Sequence, residues 1–167
     1  MTPDWIKAWD PKIRDMARES AIRHQLDPNW VWSVIQVESG GNPILMRYEK
    51  NWRYLCRPEF YSNRLTITVD TETQLQMFSY GLMQVMGSVC REYGYADSLA
   101  LLIDPFRSLE FGCRHLSNMK KRFPTGRDWI AAYNGGSPRK TPDGKYEKSL
   151  DEYVTKVVKY WSDLNDL

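Results

Sequence analysis

The 167-residue chain is poor in cysteine. Its three cysteines, Cys56, Cys90 and Cys113, are odd in number, widely spaced and outside any CxxC pattern. Such a set favours unpaired thiols over a disulfide framework or a zinc site. The sequence also lacks a phosphate-cradling glycine loop and a cluster of metal ligands, so we expect neither a cofactor nor a metal.

Export and membrane signals are missing as well. The N-terminus has no basic start and no apolar run of the length that a secretory signal needs, and no stretch is long enough to span a membrane. Neither sign of charge predominates, because 23 basic residues against 21 acidic ones leave a net charge of only +2. The short basic run 120–122 lies at a predicted helix end, where such charges usually face solvent, so we expect no nucleic-acid binding.

Aromatic residues, in contrast, are abundant. They make up 13% of the chain, with seven Trp and ten Tyr. Core packing accounts for most of them, although as a set they also suit a groove that stacks sugar rings. With 42% hydrophobic residues the chain can bury one core, so we predict a single domain over residues 1–167.

Local signals predict a mainly α protein without internal repeats. Asp10, Asp27 and Asp104 each precede a proline, and this pair is typical of a helix start because Asp caps the helix and Pro fits its first turn. Apolar periodicity and glycine stops predict further helices. Their predicted ranges are 82–93, 128–133 and 150–164.

Residues 44–76 lack a steady hydrophobic period, and we can assign no motif to them. Within this stretch, residues 65–69 alternate with β-branched side chains and predict a short strand. We therefore predict a small irregular or β-containing lobe around residues 44–76, with room for one small hairpin.

Glu38 stands at the end of the most apolar predicted helix. It follows the run 30–37, and Gly40 and Gly41 then stop the helix. Loss of hydration and the negative end of the helix dipole both favour its protonated form, which a general acid needs near neutral pH. A capping role or a buried pair with an arginine explains the same placement, so from the residues alone both interpretations stay open.

Four short blocks occur in a fixed order along the chain. They are Glu38-Ser39-Gly40-Gly41-Asn42-Pro43, Ser79-Tyr80-Gly81-Leu82-Met83-Gln84-Val85-Met86, Ala131-Ala132-Tyr133-Asn134-Gly135-Gly136 and Tyr153-Val154. Together they resemble the soluble lytic transglycosylase domain over about residues 13–161. The resemblance implies a lysozyme-like α fold of the goose type with a sugar-binding groove. With the aromatic Tyr80 inside the second block and no export signal, the chain is most similar to phage and prophage members of this family.

The resemblance also implies roles for individual residues. Glu38 matches the catalytic glutamate, and Tyr153 matches the tyrosine that orients it. Packing alone also accounts for Met83 and Tyr153, and a helix C-cap accounts for Asn134. The resemblance implies that eight residues bind the substrate: Ser39, Ser79, Tyr80, Met83, Gln84, Tyr133, Asn134 and Tyr153.

The activity that the resemblance implies is cleavage of the MurNAc-β-1,4-GlcNAc bond of peptidoglycan with formation of 1,6-anhydroMurNAc. Two alternatives stay open. A goose-type muramidase would hydrolyse the same bond with a second carboxylate, and a module without catalysis would only bind glycan. The candidate carboxylates near the insert are Glu49, Glu59, Asp70, Glu72 and Asp97.

We expect a monomer whose partner is the glycan strand of peptidoglycan, without nucleic acid and without membrane insertion. With no signal peptide, the protein is expected to be made in the cytoplasm. It would act on the bacterial wall in the periplasm after release, as an endolysin does, or travel in a phage virion.

Overall fold

A computed structural model describes residues 2–165 of the chain. In chain order the helices are α1 (Asp4–Lys7), α2 (Pro11–Arg23), α3 (Pro28–Glu38), α4 (Pro58–Leu65), α5 (Val69–Gln76), α6 (Gly87–Glu92), α7 (Pro105–Arg122), α8 (Asp128–Gly135) and α9 (Lys148–Asn165). The strands are β1 (Met46–Tyr48), β2 (Phe78–Tyr80) and β3 (Val85–Met86), and a 3₁₀ helix covers Leu99–Ile103. This architecture confirms the predicted mainly α, lysozyme-like fold class with a small β-containing lobe.

The chain divides into two compact units. The first consists of residues 1–41 and 113–167, and the second of residues 42–112. Helix α7 continues from the second unit into the first after Gly112. The single domain expected over residues 1–167 stays a prediction.

In the first unit, the helices begin where local capping chemistry places them. The Asp10 side chain accepts a hydrogen bond of 2.9 Å from the Lys12 backbone N–H, and Asp27 accepts one of 2.9 Å from Asn29. Each cap is followed by a proline in the first turn of its helix, α2 or α3. Capping satisfies backbone donors that the helix leaves unpaired, which is why these starts were predictable.

Helix α3 lies at the core of the first unit. It packs against α2 and α9, while α8 packs against α9. Val31, Val34 and Ile35 are fully buried, whereas the tryptophans at 30 and 32 are only half-buried. The apolar run therefore faces neighbouring helices on one side, and the end of α3 is positioned by packing on both flanks.

The chain leaves α3 through two glycines with different tasks. Gly40 has a φ of +61° with open space around it, so it is needed for the left-handed turn. Gly41 has a φ of +84°, and a Cβ there would lie 2.7 Å from Cδ1 of Trp9. The Trp9 indole N–H in turn donates to Oε1 of Gln36 at 3.0 Å. The Trp9 ring thus packs directly against the turn that follows α3.

In the second unit, the strands form one antiparallel sheet in the order β1-β2-β3. Met46 pairs with Tyr80, and Ser79 pairs with Met86. The β1–β2 pairing joins residues that are thirty or more positions apart, so no local pattern could indicate it.

The predicted strand at residues 65–69 is wrong. Helix α4 ends at Leu65, Thr66 adopts a left-handed conformation with φ of +56°, and α5 begins at Val69. The Thr68 hydroxyl accepts a 3.1 Å hydrogen bond from the Thr71 backbone N–H. Threonine acts here as a helix cap, and this local chemistry outweighs the strand preference of β-branched residues.

The predicted helix at residues 82–93 is also wrong over its first half. Residues 81–84 form a turn with φ of +65° at Gly81 and +49° at Gln84, β3 follows, and the helix covers only Gly87–Glu92. Hydrogen bonds from the Gln84 side chain hold this turn in place. Such bonds to distant backbone do not register in a periodic pattern.

A buried ion pair connects α5 to α6 in the second unit. Arg91 donates to both carboxylate oxygens of Glu72 at 2.7 and 2.9 Å, and both side chains are 0% exposed. The Gln76 amide adds a third donor at 2.9 Å. Arg91 also donates to the carbonyls of Tyr95 and Asp97 at 2.6 and 2.8 Å. A pair that is completely desolvated requires this many partners, so the network fixes α5 within the lobe.

Candidate active site

The predicted site residues are divided between the two units. Glu38, Ser39, Tyr133, Asn134 and Tyr153 belong to the first unit. The block that contains Ser79, Tyr80, Met83 and Gln84 belongs to the second.

Glu38 is the last residue of α3 and is half-buried. The preceding turn of the helix contains Val34 and Ile35, which are completely buried. The carboxyl group is therefore anchored by a rigid, packed turn while part of it remains open to solvent. A carboxyl group at a helix C-terminus meets the negative end of the dipole, which disfavours its charged form. The general acid role of Glu38 stays a prediction.

Tyr153 on α9 contacts Glu38 directly. Its hydroxyl donates a hydrogen bond of 2.8 Å to Oε1 of Glu38, across 115 positions of sequence. The ring is 8% exposed. Burial raises the pKa of the Tyr153 hydroxyl well above its ordinary value, and the charge of Glu38 adds to the effect. The hydroxyl therefore stays protonated at any physiological pH and acts as a donor that holds one carboxyl oxygen in place.

Tyr133 lies on α8 close to the same pair. Its electrostatic effect is one of the causes that raise the pKa of Tyr153, so the two phenols belong to one cluster. Tyr133 is 7% exposed, whereas its neighbour Asn134 is exposed in the last turn of α8. The cluster of Glu38, Tyr153 and Tyr133 thus brings three of the four motif blocks together in the first unit.

His115 is a member of this cluster that sequence reasoning missed. Its ring lies 5.1 Å from the Tyr133 ring, centroid to centroid, and it forms a hydrogen bond with the Tyr133 backbone. Desolvation lowers the pKa of His115 to about 4, so the ring is neutral at physiological pH. No motif surrounds His115 in the sequence. A histidine within a regular helix carries no local signal of the partner that tertiary packing gives it.

Ser39 follows Glu38 as the C-cap of α3. Its hydroxyl donates to the carbonyl of Ile35 at 3.3 Å, and the residue is half-buried. This contact closes the last turn of the helix and steadies the residue after Glu38. The substrate-binding role expected for Ser39 stays a prediction.

In the second unit, Gln84 and Ser79 form a hydrogen-bonded pair. The Ser79 hydroxyl donates to Oε1 of Gln84 at 2.9 Å. The Gln84 amide donates to the carbonyls of Leu45 and Gly81 at 3.0 and 2.8 Å. Both amide hydrogens are therefore used within the protein. The pair ties the turn between β2 and β3 to the start of the insert.

Tyr80 and Met83 are buried in the second unit as well. The Tyr80 hydroxyl donates to the Leu75 carbonyl at 2.6 Å, and burial raises its pKa. Met83 is 0% exposed and packs so closely on Gly112 that a Cβ there would collide with it. The contacts of this block are internal, as expected of a scaffold. The substrate contacts implied for Ser79, Tyr80, Met83 and Gln84 stay predictions.

The candidate second carboxylates have different environments within the second unit. Glu72 is neutralised by Arg91 and buried, so it cannot serve as a solvent-accessible base. Asp97 forms an ion pair of 2.9 Å with Arg107. Glu59 and Asp70 are exposed near the starts of α4 and α5, where acidic residues favour the helix dipole.

No group of three or more His, Cys, Asp or Glu side chains that could hold a metal ion occurs among residues 2–165. Within the same described range, no helix is both long enough and apolar enough to cross a membrane.

A family model described as "Transglycosylase SLT domain" matches residues 15–155 of the chain. The match includes the block at Glu38, the block at Ser79 to Met86, the block at Tyr133 and Tyr153, together with the insert at 44–76. No curated protein matches the chain.

Proposed function

Because the chain belongs to the Transglycosylase SLT domain family, we propose that it is a peptidoglycan lytic transglycosylase with Glu38 as its acid and base. Family membership supports a peptidoglycan-degrading activity of the transglycosylase type in general. The finer assignment rests mainly on one observation, the 2.8 Å hydrogen bond from the Tyr153 hydroxyl to Oε1 of Glu38.

The first chemical step is protonation of the leaving oxygen. Protonated Glu38 transfers its proton to the oxygen that links N-acetylmuramic acid to N-acetylglucosamine. The bond from this oxygen to C1 of the muramic sugar breaks, and the substrate's own acetamido group supports the positive charge that grows at C1. Glu38 is now a carboxylate, and the hydrogen bond from Tyr153 stabilises this form.

The second step closes a ring and restores the enzyme. The C6 hydroxyl of the muramic sugar attacks C1, and the carboxylate of Glu38 takes its proton. The products are a 1,6-anhydro sugar and a free N-acetylglucosamine end, with no water consumed. Ordinary glycosidases divide these tasks between two carboxylates. In this proposal Glu38 performs both tasks, and Glu72, one candidate for a second carboxylate, is buried and paired with Arg91.

Analysis of digested peptidoglycan tests the proposal. Purified sacculi are incubated with the protein, and the soluble fragments are separated and weighed by mass spectrometry. We expect muropeptides that end in anhydro-muramic acid, each one water lighter than the hydrolytic product. Fragments with reducing ends and no anhydro-sugars would instead establish a muramidase.

A matched variant tests the role of Glu38. Glu38→Gln preserves the shape of the side chain but cannot exchange a proton, so we expect no soluble fragments while binding to sacculi persists. Glu19→Gln, a change of the same kind at an exposed position of α2, serves as the control and should leave the fragment pattern unchanged. Digestion by Glu38→Gln at the wild-type rate would refute the assignment.

A further inference from the structure

One segment of the insert carries an excess of basic charge. Residues 47–57, here named the basic arm, contain four basic residues and one acidic residue; a second basic segment, residues 114–127, contains five basic residues and no acidic one. The arm therefore carries a charge of +3, and unlike residues 114–127 it also contains exposed tyrosines, Tyr48 and Tyr54. A local excess of one sign attracts polyanions even when the net charge is small.

The basic arm is mostly without regular structure after β1, yet it is held firmly. Trp52 donates its indole N–H to the buried hydroxyl of Ser88 at 2.8 Å. The backbone of Cys56 forms two hydrogen bonds with the Gln76 amide, at 2.7 and 2.9 Å. Glu49 is fixed through its backbone N–H, which donates to the Met77 carbonyl at 2.9 Å. These anchors restrain the arm before any ligand binds.

Between the anchors, the arm presents basic and aromatic side chains to solvent. Lys50, Arg53 and Arg57 are exposed, and Tyr54 is 68% exposed. The Arg57 guanidinium lies over the Phe60 ring at 4.1 Å, an arrangement that orients the charge without neutralising it.

The backbone at Arg57 is held in an uncommon, left-handed conformation. Arg57 has a φ of +47°, a region that side chains other than glycine adopt at a cost. Strain of this kind persists where the surrounding structure enforces it. Here the two hydrogen bonds between Cys56 and Gln76 fix the preceding residue, so they help to hold the backbone at Arg57 in this conformation.

From these observations we infer that the basic arm is an accessory binding surface for the carboxylate-bearing stem peptides of peptidoglycan. The identity of the partner rests on the proposed function. The sugar backbone of peptidoglycan is uncharged where the peptides are attached, so its negative charge lies on the peptide carboxylates. Guanidinium groups bind carboxylates well, and the exposed tyrosines offer flat surfaces to the adjoining sugars and side chains.

Binding to sacculi in a non-cleaving background tests the inference. The arm variant Lys50→Glu/Arg53→Glu and the control variant Lys156→Glu/Lys159→Glu are each combined with Glu38→Gln. The control changes two exposed lysines of α9 and alters the net charge equally. Co-sedimentation is measured at low and at high salt, and circular dichroism verifies folding. If the arm variant does not fold, Lys50→Gln/Arg53→Gln replaces it.

We expect the arm variant to bind whole sacculi about ten-fold more weakly than its parent at low salt, with a much smaller difference at high salt. The control should change affinity less than two-fold. On sacculi whose peptide carboxylates have been converted to amides with a carbodiimide, the arm variant and its parent should bind equally. Removal of phosphate-containing wall polymers should leave the difference intact.

Three results would overturn the inference. They are equal binding of the arm variant and its parent to whole sacculi, a difference that persists on sacculi with amidated carboxylates, and a larger effect on binding to duplex DNA than to sacculi. Because these assays measure binding without cleavage, they are independent of the anhydro-sugar analysis. The proposed reaction can therefore fail while the arm still binds, and the arm can fail while the reaction stands.

Discussion

Replacing Tyr153 by phenylalanine removes one hydroxyl from the cluster around Glu38 and little else. The ring is buried and stays in place, while the 2.8 Å hydrogen bond to Oε1 of Glu38 is lost. The donor stabilises the ionised carboxylate more than the neutral acid. Glu38 in the variant therefore retains its proton to higher pH and is held less firmly.

The expected size of the effect follows from the strength of such a bond. Hydrogen bonds to charged groups contribute about 1.5–3 kcal/mol. About 1.4 kcal/mol corresponds to a factor of ten in rate. We therefore expect kcat to fall by about 10- to 100-fold. We also expect a shift in the part of the pH–rate profile where activity falls with rising pH. It should lie at a pH higher by about one unit.

The assay is release of anhydro-muropeptides from sacculi over a range of pH, with Tyr61→Phe as the control. Tyr61 is similarly buried, and its hydroxyl donates to the Arg91 carbonyl at 2.9 Å, within the second unit. Tyr61→Phe should lose about 1 kcal/mol of unfolding free energy, and Tyr153→Phe about 1.5–3 kcal/mol because its partner is a carboxylate. The control should retain the wild-type pH profile. If Tyr153→Phe is folded and keeps the wild-type kcat and profile, Tyr153 does not position Glu38.

Two further predictions concern stability. The pKa of His115 is lowered from 6.5 to about 4, so as pH falls the unfolded chain takes up a proton on this histidine before the folded protein does. The unfolding free energy should therefore fall by about 3 kcal/mol as pH drops from 6.5 to 4. His115→Gln should remove this dependence on pH. Glu72→Gln should cost about 3–5 kcal/mol and lower Tm, because it leaves the Arg91 charge buried without its counter-charge.

Each stability prediction has its own control. For the first, urea unfolding from pH 4 to 7 is compared with His24→Gln, a change outside the cluster that should keep the slope. A wild-type slope in His115→Gln would exclude the histidine as its source. For the second, Glu19→Gln at an exposed position in the second half of α2 should change Tm by about a degree or less. An equally small shift in Glu72→Gln would show that the pair is dispensable.

Much of the helical architecture could be predicted because its causes are local. Capping of α2 by Asp10 and of α3 by Asp27 depends on side chains within two residues of the backbone they bond. The position of Glu38 at the end of α3 follows from the glycines after it. The order of the four motif blocks indicated the family for the same reason, since each block can be read without knowledge of the others' positions in space.

The two errors have different causes. The pattern at residues 65–69 suits a strand, but the Thr68 hydroxyl accepts a hydrogen bond from the Thr71 backbone N–H and caps the start of α5 instead. The turn before β3 interrupts an apparent helix because the Gln84 amide bonds to the Leu45 carbonyl, 39 positions away. The first outcome depends on a hydrogen bond between near neighbours in sequence, and the second on one between residues far apart.

For the candidate site, the sequence by itself determined which residues are available and where Glu38 stands on its helix. The tertiary structure decided what surrounds them. It brought Tyr153 to Glu38, placed His115 against Tyr133, and paired Glu72 with Arg91 inside the lobe. Hydrogen bonds and desolvation depend on distances of a few ångströms between groups that the chain separates widely. Periodicity and capping report only on near neighbours, so these contacts become visible only when the chain is folded.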